Sequence, residues 1–318
     1  MKFKYLLYLV IFSLIFFMTE DSGSKNSNKI LLINQPEIAF SFDDPQTVES
    51  SIYTAEQRND SILKVLEKYN IKAALFVCGR KIDSKNGNEI IQKWDKAGHL
   101  ICNHTYSHKN LNTNMVSASW FMNDIMKCDS LINQFKNYTR LLRFPFLKEG
   151  NTLGKRDSLR GFMKQNNYQN GYVSIDASDW YIDKRMTEYL QKKSEFVILG
   201  KYKDFYQSHI MSRAMFYDSL STELTGRKIK HVLLLHHLLI NALFLDDLIK
   251  MFIQSGWKII NIDDAYHDKF YSTWADIVPC GESLVWAKAK ESGKYENVLR
   301  YPAEDSDYEK AAMDSLGL

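Results

Sequence analysis

Ile38-Ala39-Phe40-Ser41-Phe42-Asp43-Asp44-Pro45 reads as an apolar strand that stops on two carboxylates and a proline. Neighbouring side chains in a strand point to opposite faces, so both carboxylates can serve one site only if the chain leaves the strand at Asp44. Pro45 favours that exit, because it donates no ladder hydrogen bond and fixes its own φ. About sixty residues later stands His104-Thr105-Tyr106-Ser107-His108. Histidines at i and i+4 on one helical turn project from the same face, so both imidazoles reach one cation. One Asp and two His make a three-residue ligand set with an open position, the pattern of a catalytic zinc rather than a structural one. The other Asp is then free to act as a base. Taken singly, an Asp-Asp pair is a solvated strand end and His-x-x-x-His a surface turn; their value lies in occurring together.

Outward from this stretch, short apolar segments alternate with amphipathic helical ones. The pattern predicts strands over Glu37–Phe42, Ala73–Cys78, Leu100–Asn103, Thr139–Arg143, Gly171–Ile175, His231–His236 and Lys258–Ile262. Helices are predicted over Ala55–Tyr69, Asn88–Ala97, Ser117–Phe135, Leu153–Asn166 and Leu243–Gln254. This β/α alternation implies parallel strands covered by helices, and the strand number favours a distorted (β/α)7-type barrel over an open sheet. The alternation pauses over residues 181–230, read as a helical insertion with helices near Met186–Phe196 and Tyr206–Leu220. The main domain is therefore expected over 30–270, with 271–318 as an extension packed on the barrel.

With 318 residues, 45% hydrophobic and 25% charged, the chain is long and apolar enough for a large core. The formal charge is +3, and without Lys2 and Lys4 it is 39 basic against 38 acidic residues, which predicts neither nucleic-acid nor strong membrane-surface binding. Residues 1–18, with Lys2, Lys4 and an apolar run from Tyr5 to Met18, read as a signal peptide or an N-terminal anchor, followed by a polar linker over 19–29. An exported protein, periplasmic or extracellular, is expected. Cys78, Cys102, Cys128 and Cys280 form no disulfide framework; free buried thiols are the default, with a Cys78–Cys102 bridge open if their strands are neighbours.

Active sites of β/α barrels gather at the C-terminal strand ends. Asp43 and Asp44 end the first strand and His104 follows the third. Arg143-Phe144-Pro145-Phe146 ends the fourth, Asp176 through Trp180 the fifth, and His236-His237 the sixth. Each has a mundane alternative: Arg143 on the surface, Asp179 as a helix cap, His236 in the core. Their joint placement is harder to assign to chance.

These segments resemble the five motifs of the NodB-homology polysaccharide deacetylases, carbohydrate esterase family 4, over about Glu37 to Tyr266. The resemblance implies Asp43 as base, with Asp44, His104 and His108 as ligands to a divalent metal, zinc by preference. It implies Arg143 orienting the base and the backbone N–H of Phe146 facing the oxyanion. It also implies Asp176 paired with His236, the general acid, Trp180 walling the groove, and Leu234 beside it. The implied activity is removal of N-acetyl groups from a chitin- or peptidoglycan-like polysaccharide, with O-acetyl esterase activity on xylan-like chains or a silent carbohydrate-binding protein as alternatives. Two departures stand out: Pro45 directly follows Asp44 where the family has Gly, and His237 follows the acid histidine where the family has Asp.

Overall fold

Strand β1 (Glu37–Asp43) is an interior strand of the sheet, and its residues from Ile38 to Asp43 are all buried. A parallel strand covered on both faces needs such a near-continuous apolar run. In the computed structural model, which describes residues 35–193 and 196–318, β1 is flanked by β2 (Ala74–Val77) and β7 (Lys230–His236). The sheet continues from β2 through β3 (Leu100–Asn103) and β4 (Tyr138–Leu142) to β6 (Gln169–Asn170), while β8 (Lys258–Ile259) pairs the start of β1. Every pairing in this seven-stranded sheet is parallel. The sheet curls into a partly open barrel with helices outside it, the fold class that the β/α alternation predicts.

Helices fall close to their predicted places: Ala55–Lys68, Lys85–Lys96, Ala118–Ile132, Leu153–Gln165 and Leu239–Gln254. Thr54 opens the first through a full capping box with Gln57. Ser84, Ser117 and Thr152 cap the next three with their side-chain oxygens. The expected strand over Gly171–Ile175 is not regular. Ser174 N–H and Ile175 N–H both donate to Val232 O, each at 3.1 Å. Two successive amides on one carbonyl break the ladder, so only the single bridge Ile175 to Leu233 remains. That bridge still joins the stretch after β6 to β7.

The insertion is a pair of helices, Asp179–Lys193 and Leu199–Thr225, and it begins at Asp179 rather than at residue 181. Residues beyond 270 form no separate unit, since Gln35–Leu318 is one compact body. A small antiparallel sheet joins β5 (Lys148–Gly150) to β9 (Cys280–Gly281), and the helices Leu284–Ser292 and Ser306–Leu316 follow. All four cysteines are free and buried; the β2–β3 register sets Cys102 opposite Phe76 rather than Cys78. The expected leader and linker lie outside the described residues, and no described helix is long and apolar enough to cross a membrane.

Candidate active site

The parallel register of β1 and β7 sets Asp43 directly beside His236 at the C-terminal ends of both strands. The chain leaves β1 at Asp44, which takes φ +61° and donates its N–H to Phe76 O at 3.1 Å. That left-handed turn brings both carboxylates to one site. Asp43 is buried, and its Oδ1 accepts from Arg143 Nη1 at 2.5 Å, while Oδ2 stands 3.5 Å from His104 Nε2. Arg143 is fully buried just past β4 and is held from every side. Its Nε donates to Gly171 O at 2.8 Å, Nη2 to the Tyr266 hydroxyl at 3.1 Å, and its guanidinium stacks 3.7 Å from the Phe76 ring centroid. A guanidinium so fixed holds its carboxylate partner in one place.

Asp44, His104 and His108 bring ligand atoms within 4.8 Å of one another. The expected helical turn is absent. Residues 104–108 form a loop with Thr105 at φ +61° and His108 at φ +53°. Asp124, on the Ala118–Ile132 helix, shapes it by accepting from Ser107 N at 2.9 Å and Ser107 Oγ at 2.7 Å. Asn103 Oδ1 takes the Thr105 N–H at 2.8 Å. The imidazoles converge because these bonds fold the loop, not because of helical spacing.

The donor chemistry fits a divalent cation. Arg143 O lies 2.8 Å from His104 Nδ1 and fixes the tautomer whose Nε2 has a free lone pair. Burial, with His104 nearby, pushes His108 down to about 3, so it is neutral, the ligating form. Burial would raise the Asp44 carboxyl, but the positive charge around it, with the Lys81 ammonium 2.9 Å away, holds it well below the ordinary range. Its Oδ1 is buried with no hydrogen-bond partner.

His236 donates Nδ1–H to Asp179 Oδ1 at 2.7 Å, and its backbone N–H meets Asp179 Oδ2 at 2.8 Å. Asn241 Nδ2 bonds the same Oδ2 at 2.8 Å and His236 O at 2.7 Å, and is itself set by the Tyr206 hydroxyl. Although burial opposes protonation, Asp179 raises His236 to about 9. The expected pairing with Asp176 is therefore corrected to Asp179. The Asp179–Lys193 helix starts at that residue, which places its carboxylate against the end of β7, whereas Asp176 lines the cleft with no hydrogen bond to His236. His237 is no rival to His236. It is fully buried, with Nε2 3.1 Å from Asn59 Oδ1, which also receives Trp94 Nε1–H at 2.7 Å.

Asp43, Asp44, His104, His108 and His236 line one cleft of about 640 Å³ together with Phe146, Trp180 and Leu234. The Phe146 ring is exposed and meets His108 edge-on at 4.7 Å, Trp180 is partly exposed, and Leu234 is buried beneath. Phe146 itself takes φ +57°, which turns the backbone after β4.

A polysaccharide deacetylase family model matches residues 33–168. Over 148 residues the chain is 30% identical to a peptidoglycan-N-acetylglucosamine deacetylase of Bacillus cereus, covering 46% of this chain and 47% of that protein. It is 29% identical over 133 residues to a bifunctional xylanase/deacetylase of Pseudobutyrivibrio xylanivorans, covering 42% of this chain and 20% of the relative. Residues 33–168 therefore carry the likeness to the polysaccharide deacetylases. The chain spans about half or less of those two relatives' length. Its fold matches the chitin deacetylase of Colletotrichum lindemuthianum at TM-score 0.51 and 18% identity, over 74% of this chain and 89% of that one. A mutant of a CE4-family pseudoenzyme matches at TM-score 0.50 and 20% identity, over 73% and 68%.

Several residues of the cleft were not legible as site residues in the sequence. Tyr266, Lys81, Asp124 and Asn241 carry no local pattern and reach the site only through tertiary packing. Lys148, Glu282, Pro302, Glu304 and Asp305 line the cleft from β5 and from the C-terminal extension. For the extension the one available signal is its aromatic content, which predicts packing but not a place at the cleft.

Proposed function

We propose that the chain is a metal-dependent hydrolase that removes N-acetyl groups from amino-sugar residues of a chitin- or peptidoglycan-like polysaccharide and releases acetate. The observation that carries this reading is the convergence in one cleft of an Arg-fixed carboxylate, an Asp-His-His ligand set and an Asp-supported histidine. Asp44, His104 and His108 would hold the cation, with zinc preferred for two imidazoles and one carboxylate. When bound, the metal supplies Lewis-acid polarisation and lowers the pKa of water.

The protein's own groups divide the proton transfers. Asp43, held by Arg143, takes the proton of the attacking water. The Phe146 backbone N–H is assigned to the developing oxyanion. His236, kept protonated through Nδ1 by Asp179, offers Nε2–H to the departing amine. Water attack at the acetyl carbon thus ends in acetate and a free amino sugar. The relatives described as deacetylases of peptidoglycan or chitin support an amide rather than an ester substrate. The Lys2, Lys4 and Tyr5–Met18 segment supports action outside the cytoplasm.

Acetate release is to be measured with N-acetylchitooligosaccharide, peptidoglycan and acetyl-xylan, each with and without chelator. Chelator-sensitive release from one of the amino-sugar polymers is expected. Release from acetyl-xylan alone would favour the esterase reading, and no release from any of them the binding reading.

A further inference from the structure

Asp176 is left without a role once Asp179 takes His236. It is 8% exposed, and what remains open faces the cleft that holds the proposed base, ligands and acid. Among the described residues its carboxylate has no hydrogen-bond partner. A carboxylate whose only open side faces the cleft accepts there from water or from the hydroxyl donors of a ligand. Its surroundings are built to hold a polar ligand. Lys148, at the start of β5, lies close enough to interact with it electrostatically, and is itself paired with Glu282 from the end of β9. Glu304, from the C-terminal extension, lines the same part of the cleft and is fixed by Arg213 at 2.6 Å.

We propose that Asp176 is a substrate-binding residue whose carboxylate accepts hydrogen bonds from ring hydroxyls of a sugar unit in the cleft, with Lys148 as a neighbouring donor. This rests on the deacetylase reading for the class of ligand, an N-acetylated amino-sugar chain, but not on turnover. The chain before Asp176 is joined to β7 through the Ile175–Leu233 bridge, so its position is tied to the strand that carries His236. The site would therefore select for a sugar held in register with the acid.

The test is calorimetric titration of the chelator-treated protein with tetra-N-acetylchitotetraose, which needs neither metal nor chemistry. Wild type is expected to bind, and Asp176→Asn and Lys148→Met each to weaken binding at least tenfold. Circular dichroism melts check that both variants are folded, and Asp176→Ser serves as the second variant should Asp176→Asn unfold. In the metal-loaded protein, Asp176→Asn should raise KM at least tenfold while kcat falls less than threefold, with the basic limb of the pH profile displaced less than in Asp179→Asn. No binding by wild type, binding by folded Asp176 variants equal to wild type, or a basic limb displaced as far as in Asp179→Asn would each overturn the assignment. If wild type binds the tetramer yet releases no acetate, the deacetylase reading fails, while the binding role of Asp176 is still decided by the titration.

Discussion

At the residue scale the site divides its work between groups that differ in what surrounds them. Asp43 faces a guanidinium with no freedom to move, so Asp43→Asn should lower turnover by about 10²–10⁴-fold, the usual range for a general base, while metal binding measured by chelator competition is retained. His236 is held protonated to about 9 by Asp179, against an ordinary value of 6.5. A general acid must carry its proton, so activity should decline as pH rises through about 9, and in Asp179→Asn that limb should move down to 6.5 or below. The stability effect has the same sign. The contribution of the raised histidine is fully present below pH 6.5 and lost as pH rises through about 9, so the melting difference between wild type and Asp179→Asn should shrink over that window. His237 behaves differently because it is buried among Trp94 and Asn59. His237→Ala should cost about 2–4 kcal/mol, read from a denaturant midpoint, through a cavity and the loss of one of the two hydrogen bonds to Asn59 Oδ1. Burial pushes His237 down to about 3, so the fold should weaken as pH falls from 6.5 toward that value, where the unfolded chain takes up a proton the native core resists.

At the element scale, the motif residues converge because strand ends converge, but the loops between them set the geometry. Asp44, Thr105, His108, Phe146 and Leu147 all carry positive φ without being glycine, a conformation that costs about 1–3 kcal/mol each and persists where the surroundings over-determine it. For the histidine loop the surroundings are Asn103 and Asp124, so Asp124→Ala should release the loop and weaken metal binding by about 10–100-fold in a chelator competition. Much of this architecture was legible in the sequence, since Leu100–Asn103 is read to the residue and β1 to within one, both from apolar runs that only a buried parallel strand needs. What was not legible depends on partners far away in the chain. A spacing of four fits a helical turn, and only the distant Asp124 makes it a loop. Gly171–Ile175 has the composition of a strand, and only the sharing of Val232 O by two amides makes it irregular. Asp176 and Asp179 are equivalent in pattern, and the start of a helix decides which of them meets His236.

At the scale of the whole molecule, the C-terminal extension is part of the barrel rather than an addition to it. Leu284 N–H bonds Val173 O at 2.8 Å, beside the irregular stretch that reaches β7, and the Leu284–Ser292 helix packs on the insertion helix Leu199–Thr225. Arg213 of that insertion helix holds Glu304, so insertion and extension meet at the rim of the cleft. Leu284, Val285, Trp286 and Met313 are all buried. At about 1.5–3 kcal/mol for each large apolar side chain, these four contribute on the order of 6–12 kcal/mol as an upper bound. That is comparable to the whole stability of an ordinary domain, about 5–15 kcal/mol. Deleting residues 283–318 should therefore abolish the cooperative thermal transition seen by circular dichroism, not merely lower activity. A truncated chain that still melts cooperatively near the wild-type temperature would show the extension to be separable. Trp286→Ala gives the graded form of the same experiment. It removes a buried ring whose Nε1–H is bonded to Arg300 O at 2.7 Å, and should cost about 3–5 kcal/mol. Because that loss loosens the segment carrying Pro302, Glu304 and Asp305, oligosaccharide affinity should fall along with the denaturant midpoint, whereas a tail serving stability alone would lower the midpoint and leave affinity in the surviving folded fraction intact.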